Sequence, residues 1–305
     1  SRIKLFVSSP NAIAGNYEEK LDTAAAAFQA EESGNADFVC EESEIYSKIR
    51  ELVSMLPSNN EDGGCVTECQ DDLNRTCANL AGFDGDVVSI LQTIADDNNY
   101  LEVKSSYAKD MSIGFIRLNG TTVGCVANAE SVLKPYGCLK AADFINFCDA
   151  FDIPLLSLTN VTGFGSCIEC EKRIADAAAK LTFAFANADV PKVNLVIGKA
   201  FGSAYSVMNS SALGCDVTFA WEKASIGMMD ADLAASVICE GKDEDARKAC
   251  ADEYKKLQNS VDSAARRGYV DSVINADDSR KYLIGAFEML YTKREDRPVK
   301  KHGAV

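Results

Sequence analysis

Two short stretches of this chain have the composition for chemistry without side chains. Gly163-Phe164-Gly165 and Gly202-Ser203-Ala204 each follow an apolar, strand-like run and precede a helical one. Glycine and other small residues let a ligand approach the backbone closely. The first turn of a helix carries N–H groups without intrahelical partners and a partial positive charge. Two such turns on neighbouring strands would aim N–H groups at one oxygen and stabilise negative charge developing there. Glycine at a strand–helix turn also serves close packing, and the pattern alone leaves both readings open.

The rest of the composition favours backbone chemistry. The single histidine, His302, lies close to the C-terminus, so a Ser-His-Asp or Cys-His triad and any multi-histidine metal site are excluded from the body of the chain. Twelve cysteines at positions 40 to 250 are mostly single and set in apolar or helical stretches. Cys125, Cys148 and Cys239 read as small buried hydrophobes. Cys167-Ile168-Glu169-Cys170 is a Cys-x-x-Cys, but a zinc site needs a second pair, for which Cys65 and Cys69 are badly spaced. Two reduced thiols beside a helix start are expected, with no metal. Arg266, Arg267 and Lys199 offer charge for phosphates, although surface ion pairing is the simpler use. Tyr205 and Trp221 read as core or rim aromatics.

The elements that must position the two turns follow from periodicity. Asp22-Thr23 caps a helix through Phe28 that Ser33-Gly34-Asn35 ends, and a second helix over about Glu44–Leu56 carries Ile45, Ile49, Leu52, Val53 and Leu56 on one face. The polar run from Pro57 to Gly64 is the linker candidate. A helix over Val87–Ala95 precedes a strand over Ser112–Leu118. Asn119-Gly120 then predicts a hairpin, because both turn positions want positive φ. Ala141–Phe151 is expected to be helical. Leu155–Leu158 and Val193–Gly198 read as buried strands, with a helix over about Glu169–Asn187 between them. A second helix after Gly202 is ended by Gly214, and Asp216–Trp221 is a further strand. Hairpin followed by strand–helix alternation is an α/β pattern.

Length and charge bound the remainder. The chain of 305 residues is 47% hydrophobic, with 31 Lys and Arg against 46 Asp and Glu, a formal charge of −15. Such an acidic surface repels phosphate backbones and argues against nucleic-acid binding. No apolar run reaches the roughly 18 residues that span a bilayer, and a cytoplasmic location is expected. The chain opens on Ser1-Arg2-Ile3 and runs directly into a strand-like segment, as though a longer protein had been cut upstream.

A series of blocks adds a family to this reading. Leu52 to Asn60, Gly114 to Gly120 with Val123-Gly124 and Asn128, Phe147 to Leu155, Ala184-Phe185-Ala186 with Val190 to Val193, Lys199 to Tyr205, Asp216 to Trp221, Arg267 to Asp271, and Arg297-Pro298 with Lys301-His302 resemble, in order, the carboxyltransferase component of biotin-dependent acyl-CoA carboxylases. That group includes carboxylase beta subunits and the alpha subunits of malonyl-type CoA decarboxylases. The resemblance implies a crotonase-like spiral of ββα units, with residues 1–60 as the tail of a preceding crotonase-like half and linker, and 61–305 as the C-terminal, biotin-side domain. It implies carboxyl transfer between carboxybiotin on a carrier protein and a short-chain acyl-CoA such as acetyl-, propionyl- or methylmalonyl-CoA. The nascent biotin anion takes the acyl-CoA α-proton and the enolate attacks CO2, so no protein acid or base is needed.

By motif match, the resemblance puts backbone oxyanion donors at Gly163, Phe164, Gly202, Ser203 and Ala204, and substrate contacts at Tyr205 and Ser206. The family's usual Gly-Gly-Ala is Gly202-Ser203-Ala204 in this chain, and its usual Asp-Val-Pro-Gly-Phe is Asn160-Val161-Thr162-Gly163-Phe164; neither change removes an N–H. Implied partners are a biotin carboxyl carrier protein, an N-terminal carboxyltransferase half, a biotin carboxylase or membrane decarboxylase subunit, and further copies in a dimer-based oligomer such as a hexamer. Two alternatives remain: a non-catalytic assembly half, or a crotonase-fold hydratase or isomerase. The latter needs an acid/base pair, for which Glu169 and Asp230 are the nearby carboxylates.

Overall fold

The computed structural model describes residues 25–59, 66–82 and 86–295. The expected Asp22-Thr23 cap, His302, Cys65, most of the Pro57–Gly64 linker and the Arg297–His302 block lie wholly or partly outside them. The first long element is α1 (Ile45–Met55), within a residue of expectation at each end. Its apolar stripe is divided, however. Met55 is buried and Leu52 and Leu56 pack against the core, whereas Ile49 and Val53 are exposed. The helix rests on the body along one edge, where Arg117 Nη2 donates to Ser54 O at 2.6 Å.

The body follows as α2 (Val87–Ile94), β1 (Leu101–Val103), β2 (Met111–Leu118), β3 (Thr121–Asn128), β4 (Val132–Leu133), α3 (Pro135–Ala150), β5 (Leu155–Val161), β6 (Gly163–Phe164), α4 (Ile168–Asn187), β7 (Lys192–Phe201), α5 (Gly202–Val207), β8 (Val217–Trp221), β9 (Ser225–Gly227), α6 (Ala231–Ile238), α7 (Glu244–Tyr254), α8 (Val261–Arg266), β10 (Ser272–Ile274) and α9 (Ser279–Leu290). The large sheet runs β1-β2-β3-β5-β7-β8-β10, with β9 on the far half of β7; β4 and β6 form a separate pair. β1, β2 and β3 are antiparallel neighbours, and every other pairing is parallel.

The units β3-β4-α3, β5-β6-α4 and β8-β9-α6 each read strand, short strand, helix. This is the ββα repeat of the expected crotonase-like spiral. Because helices cover both faces, the central strands are apolar without alternation. Consecutive residues feed opposite cores: Leu155 joins Phe115, Phe144 and Leu181 on the α3/α4 side, and Leu156 joins Ile90, Leu195 and Leu283 on the α2/α9 side.

The predicted hairpin forms, with Asn119 and Gly120 at φ 51° and 76°. Both of its turn N–H groups donate to the Asp96 carboxylate, at 3.1 and 2.7 Å. Asp96 is itself paired at 2.7 Å with Arg280, which is fully buried.

Two helices depart from expectation. α3 begins at Pro135 rather than near Ala141, because proline at a first helical position is pre-set in φ and gives up an N–H that has no partner there anyway. The helix after Gly202 does not run to Gly214. It ends at Val207, Asn209 takes φ 51°, and a short 3₁₀ turn (Ser211–Leu213) is what Gly214 closes at φ 84°. A buried polar network holds this break: Asn209 Nδ2 donates to Ser157 Oγ (2.9 Å), and Thr159 Oγ1 donates to Asn194 Oδ1 (2.8 Å). α5 is therefore a single short helix, clamped at its C-terminal end to β5 and β7.

Candidate active site

β5 and β7 deliver the two glycine turns to one place. Their pairing slips near the end: Thr159 faces Val196, but Val161 faces Ala200. The extra β7 residues bulge, and the Asn160 side chain takes up the freed backbone, accepting from Lys199 N–H at 2.9 Å. A Cβ on Gly198 would sit 2.5 Å from Asn160 Oδ1, so glycine is required for that approach. The Asn160 N–H donates to Asn128 Oδ1 at 2.9 Å, and Asn128 Nδ2 donates back to Asn160 O and to Glu130 O. Two asparagines thus stitch the ends of β3, β5 and β7.

Past this stitch the chain turns at Gly202, with φ +60°, a conformation that side chains with a Cβ adopt at a cost. A Cβ there would also meet Met228 O at 3.0 Å. α5 starts at once. Its N-cap, Phe201, supplies no side-chain hydrogen bond to the first turn, which leaves the early N–H groups, including those of Ser203 and Ala204, free of a side-chain cap. Ala204 is buried and Ser203 exposed.

The facing turn differs from expectation. Gly163 and Phe164 do not open a helix; they form β6, in register with Val132 and Leu133. Thr162 N–H donates to Ser131 O (2.7 Å) and Gly165 N–H to Leu133 O (2.8 Å), and α4 begins only at Ile168. The reason is non-local: β4 offers a pairing edge that holds residues 162–165 extended, so the helix starts only beyond it. β6 and α5 nonetheless pack together, so Gly163, Phe164, Gly202, Ser203 and Ala204 are neighbours. Nothing lies within 4 Å of where a Gly163 Cβ would be.

The two substrate-contact candidates are placed differently. Tyr205 is buried in the core beside Ala204 and Met208, and burial raises its hydroxyl pKa. Ser206 is exposed, with its hydroxyl turned back to Gly202 O at 3.3 Å.

The carboxylates that an acid/base mechanism would need are otherwise engaged. Glu169 pairs with Lys172 at 2.6 Å on the outer face of α4. Asp230 caps α6 by accepting from Asp232 N–H at 3.0 Å, and stands 3.8 Å from Lys199 Nζ. Alongside runs a cleft of about 1070 Å³, lined among others by Asn160, Thr162, Lys199, Phe201, Trp221 and Asp230. Among the described residues, no group of three or more His, Cys, Asp or Glu is placed to hold a metal, and no helix is long and apolar enough to cross a membrane.

One expectation is overturned beside the site. Cys167 and Cys170 are not two free thiols but a disulfide. The helical i, i+3 spacing across the α4 start brings their Cα atoms to 5.0 Å, within bonding reach. The nine other described cysteines are free, and Cys125, Cys148 and Cys239 are buried as expected. The polar stitch of Asn128 and Asn160 was not singled out from sequence. Its signal was an asparagine at the end of β3 and one next to the end of β5, each in a largely buried strand.

Comparison with known proteins accords with this geometry. The model of the carboxyl transferase domain family matches residues 4–305. The methylmalonyl-CoA carboxyltransferase 12S subunit of Propionibacterium freudenreichii subsp. shermanii is 40% identical over 89% of this chain and 55% of its own length. A putative propionyl-CoA carboxylase beta chain of Bacillus subtilis (strain 168) is 38% identical over 99% of this chain and 63% of its own. A solved transcarboxylase 12S structure, described as a hexamer assembly with hydrolysed methylmalonyl-coenzyme A bound, superposes with a TM-score of 0.92 at 36% identity, covering 98% of this chain and 62% of that one. The chain spans just over half to just under two thirds of the length of these relatives. With its ββα spiral and paired glycine turns, the chain belongs to the carboxyl transferase domain family.

Proposed function

We propose that this chain is the biotin-side half of an acyl-CoA carboxyltransferase, moving a carboxyl group between carboxybiotin on a carrier protein and a short-chain acyl-CoA. One observation carries the reading: β6 and the start of α5, distant in sequence, pack together around N–H groups that no side chain caps, while Glu169 and Asp230 are engaged elsewhere. That arrangement suits a reaction whose charge develops on an oxygen and whose proton transfer needs no side chain.

Biotin, when bound, supplies a carboxyl group on its ureido ring, whose oxygen gains negative charge as that group departs. The surroundings fit such a group, since the Gly163 side is open and Gly202 has no Cβ to intrude. The N–H groups of Ser203 and Ala204 would hold the developing charge, and Gly163 and Phe164 would form the opposite wall. The Asn128–Asn160 stitch and the Asn209 network would fix their spacing. Residues 1–60 would then be the tail and linker of an N-terminal half that completes the acyl-CoA side, and 61–305 the biotin-side domain, working as an oligomer. The relatives named above act on methylmalonyl- and propionyl-CoA by name, which supports a short acyl group.

The test is reconstitution. Combined with an N-terminal carboxyltransferase half and a carboxylated carrier, the chain should transfer labelled carboxyl to propionyl- or acetyl-CoA. The 305-residue chain alone should not turn over repeatedly. An assembled complex without transfer would remove the proposal, and sustained turnover by the isolated chain would remove the shared-site part of it.

A further inference from the structure

Cys167 and Cys170 are the disulfide pair among the described residues, and their placement is that of an exchangeable bond. We propose that they form a reversible thiol–disulfide site, reduced by a dithiol of low molecular weight or carried on a protein, whose state sets the order of the Gly163–Gly165 segment. Cys167 is exposed and is the N-cap of the 20-residue α4, whereas Cys170 is 7% exposed. One sulfur is open to attack and its partner is sheltered, the arrangement that directs exchange to a single atom.

The chemistry balances in two steps. An external thiolate attacks Cys167 Sγ; the S–S bond breaks, and its electron pair leaves on Cys170 Sγ, which takes a proton. The reagent's second thiol then attacks its own sulfur in the mixed disulfide and releases Cys167. The protein gains two electrons and two protons, and the reagent becomes a disulfide. In reverse, Cys167 is the nucleophile. Its sulfur accepts the Cys170 N–H at 3.1 Å, and a helix N-terminus favours the thiolate. Glu169 and Glu171 in the same turn oppose this, with Glu169 offset by Lys172 at 2.6 Å. The deeper thiols are inert by comparison: burial pushes Cys138 and Cys215 up to about 12, and raises Cys125 and Cys148 as well.

The bond reaches the site through one residue. Cys170 Sγ lies 3.0 Å from where a Gly165 Cβ would be, so the sulfur packs directly beneath Gly165. Gly165 is tied by its N–H to Leu133 O and continues into Phe164 and Gly163, against which α5 packs. Reduction replaces one bonded pair by two larger, separately moving thiols under this segment. The redox chemistry stands on these contacts alone; an effect on turnover would rest on the proposed function.

The experiment equilibrates the folded protein in graded glutathione or dithiothreitol buffers, followed by differential alkylation, peptide mass spectrometry and amide hydrogen exchange. Cys167 and Cys170 should be blocked together under oxidising conditions and alkylated together under reducing ones, with Cys125 and Cys148 unchanged. Reduction should speed exchange over 163–172 by about tenfold or more while the distant strands keep their protection. Cys170→Ser should leave Cys167 as a mixed disulfide with glutathione, and Cys167→Ser/Cys170→Ser should show fast exchange in both buffers. Free thiols at both positions under oxidising conditions, or a bond reducible only after unfolding in urea, would overturn the site. Equal exchange at 163–165 in the two wild-type states would overturn its effect, whatever the carboxyl-transfer rate proves to be.

Discussion

Replacing Ala204 by proline isolates one backbone N–H at the proposed oxyanion site. Ala204 is the third residue of α5 and is 1% exposed, so its side chain meets protein rather than substrate. Its N–H belongs to the first helical turn, where proline is tolerated because no intrahelical bond is lost. The ring adds bulk at a buried position, which makes a modest loss of stability part of the expectation. The chemical effect is separate from it. If Ser203 and Ala204 each direct an N–H at the developing charge, deleting one should slow carboxyl transfer by about 10²–10³, or roughly 2.7–4 kcal/mol. Ser203→Gly is the matched control, since Ser203 is exposed and glycine keeps the donor at a helix-propensity cost below about 1 kcal/mol. Both variants would be checked by circular dichroism and assembly state, then assayed for transfer to acyl-CoA in the complete enzyme. A folded Ala204→Pro enzyme running near the parent rate would take this turn out of the mechanism.

Other outcomes follow from the same contacts. Asn160→Ala removes the acceptor of the Lys199 N–H and should cost about 1–2 kcal/mol in urea unfolding, with the transfer rate falling further than stability accounts for; an unchanged rate would deny the stitch its positioning role. Arg280→Met leaves Asp96 buried at 6% exposure without its 2.7 Å partner and should cost about 3–5 kcal/mol. Adding Asp96→Asn should restore part of that loss in the same unfolding assay. Lys140 Nζ donates to Lys104 O, Tyr107 O and Met111 O at 2.9, 2.7 and 2.8 Å, and burial lowers its pKa from 10.5 to about 8. Above pH 8 the unfolded chain holds a proton that the folded one has released, so stability relative to Lys140→Met should rise from pH 8 toward pH 10.5. A difference that stays flat or falls across that window would contradict the shift.

What the sequence determined by itself is what local chemistry specifies. Asn119-Gly120 tolerates the positive φ that a tight hairpin demands, and no distant residue was needed to see it. The helix expected over about Glu169–Asn187 forms as α4, and the apolar runs of β5 and β7 announced buried strands, which helices cover on both faces. The backbone donors at Ser203 and Ala204 came from the family resemblance; the small-residue turn before a helix left close packing equally open. Tertiary structure decided the rest. β6 exists because β4 lies beside residues 163–164, and two residues carry too little pattern to predict a strand without that edge. The exposure of Ile49 and Val53 on α1 depends on how little of the body that helix meets, whereas its amphipathic pattern describes only the helix. Joining Cys167 to Cys170 took the geometry of the α4 start, and bringing Gly163 beside Gly202 took the parallel pairing of β5 with β7, a contact between segments that only the folded sheet makes neighbours.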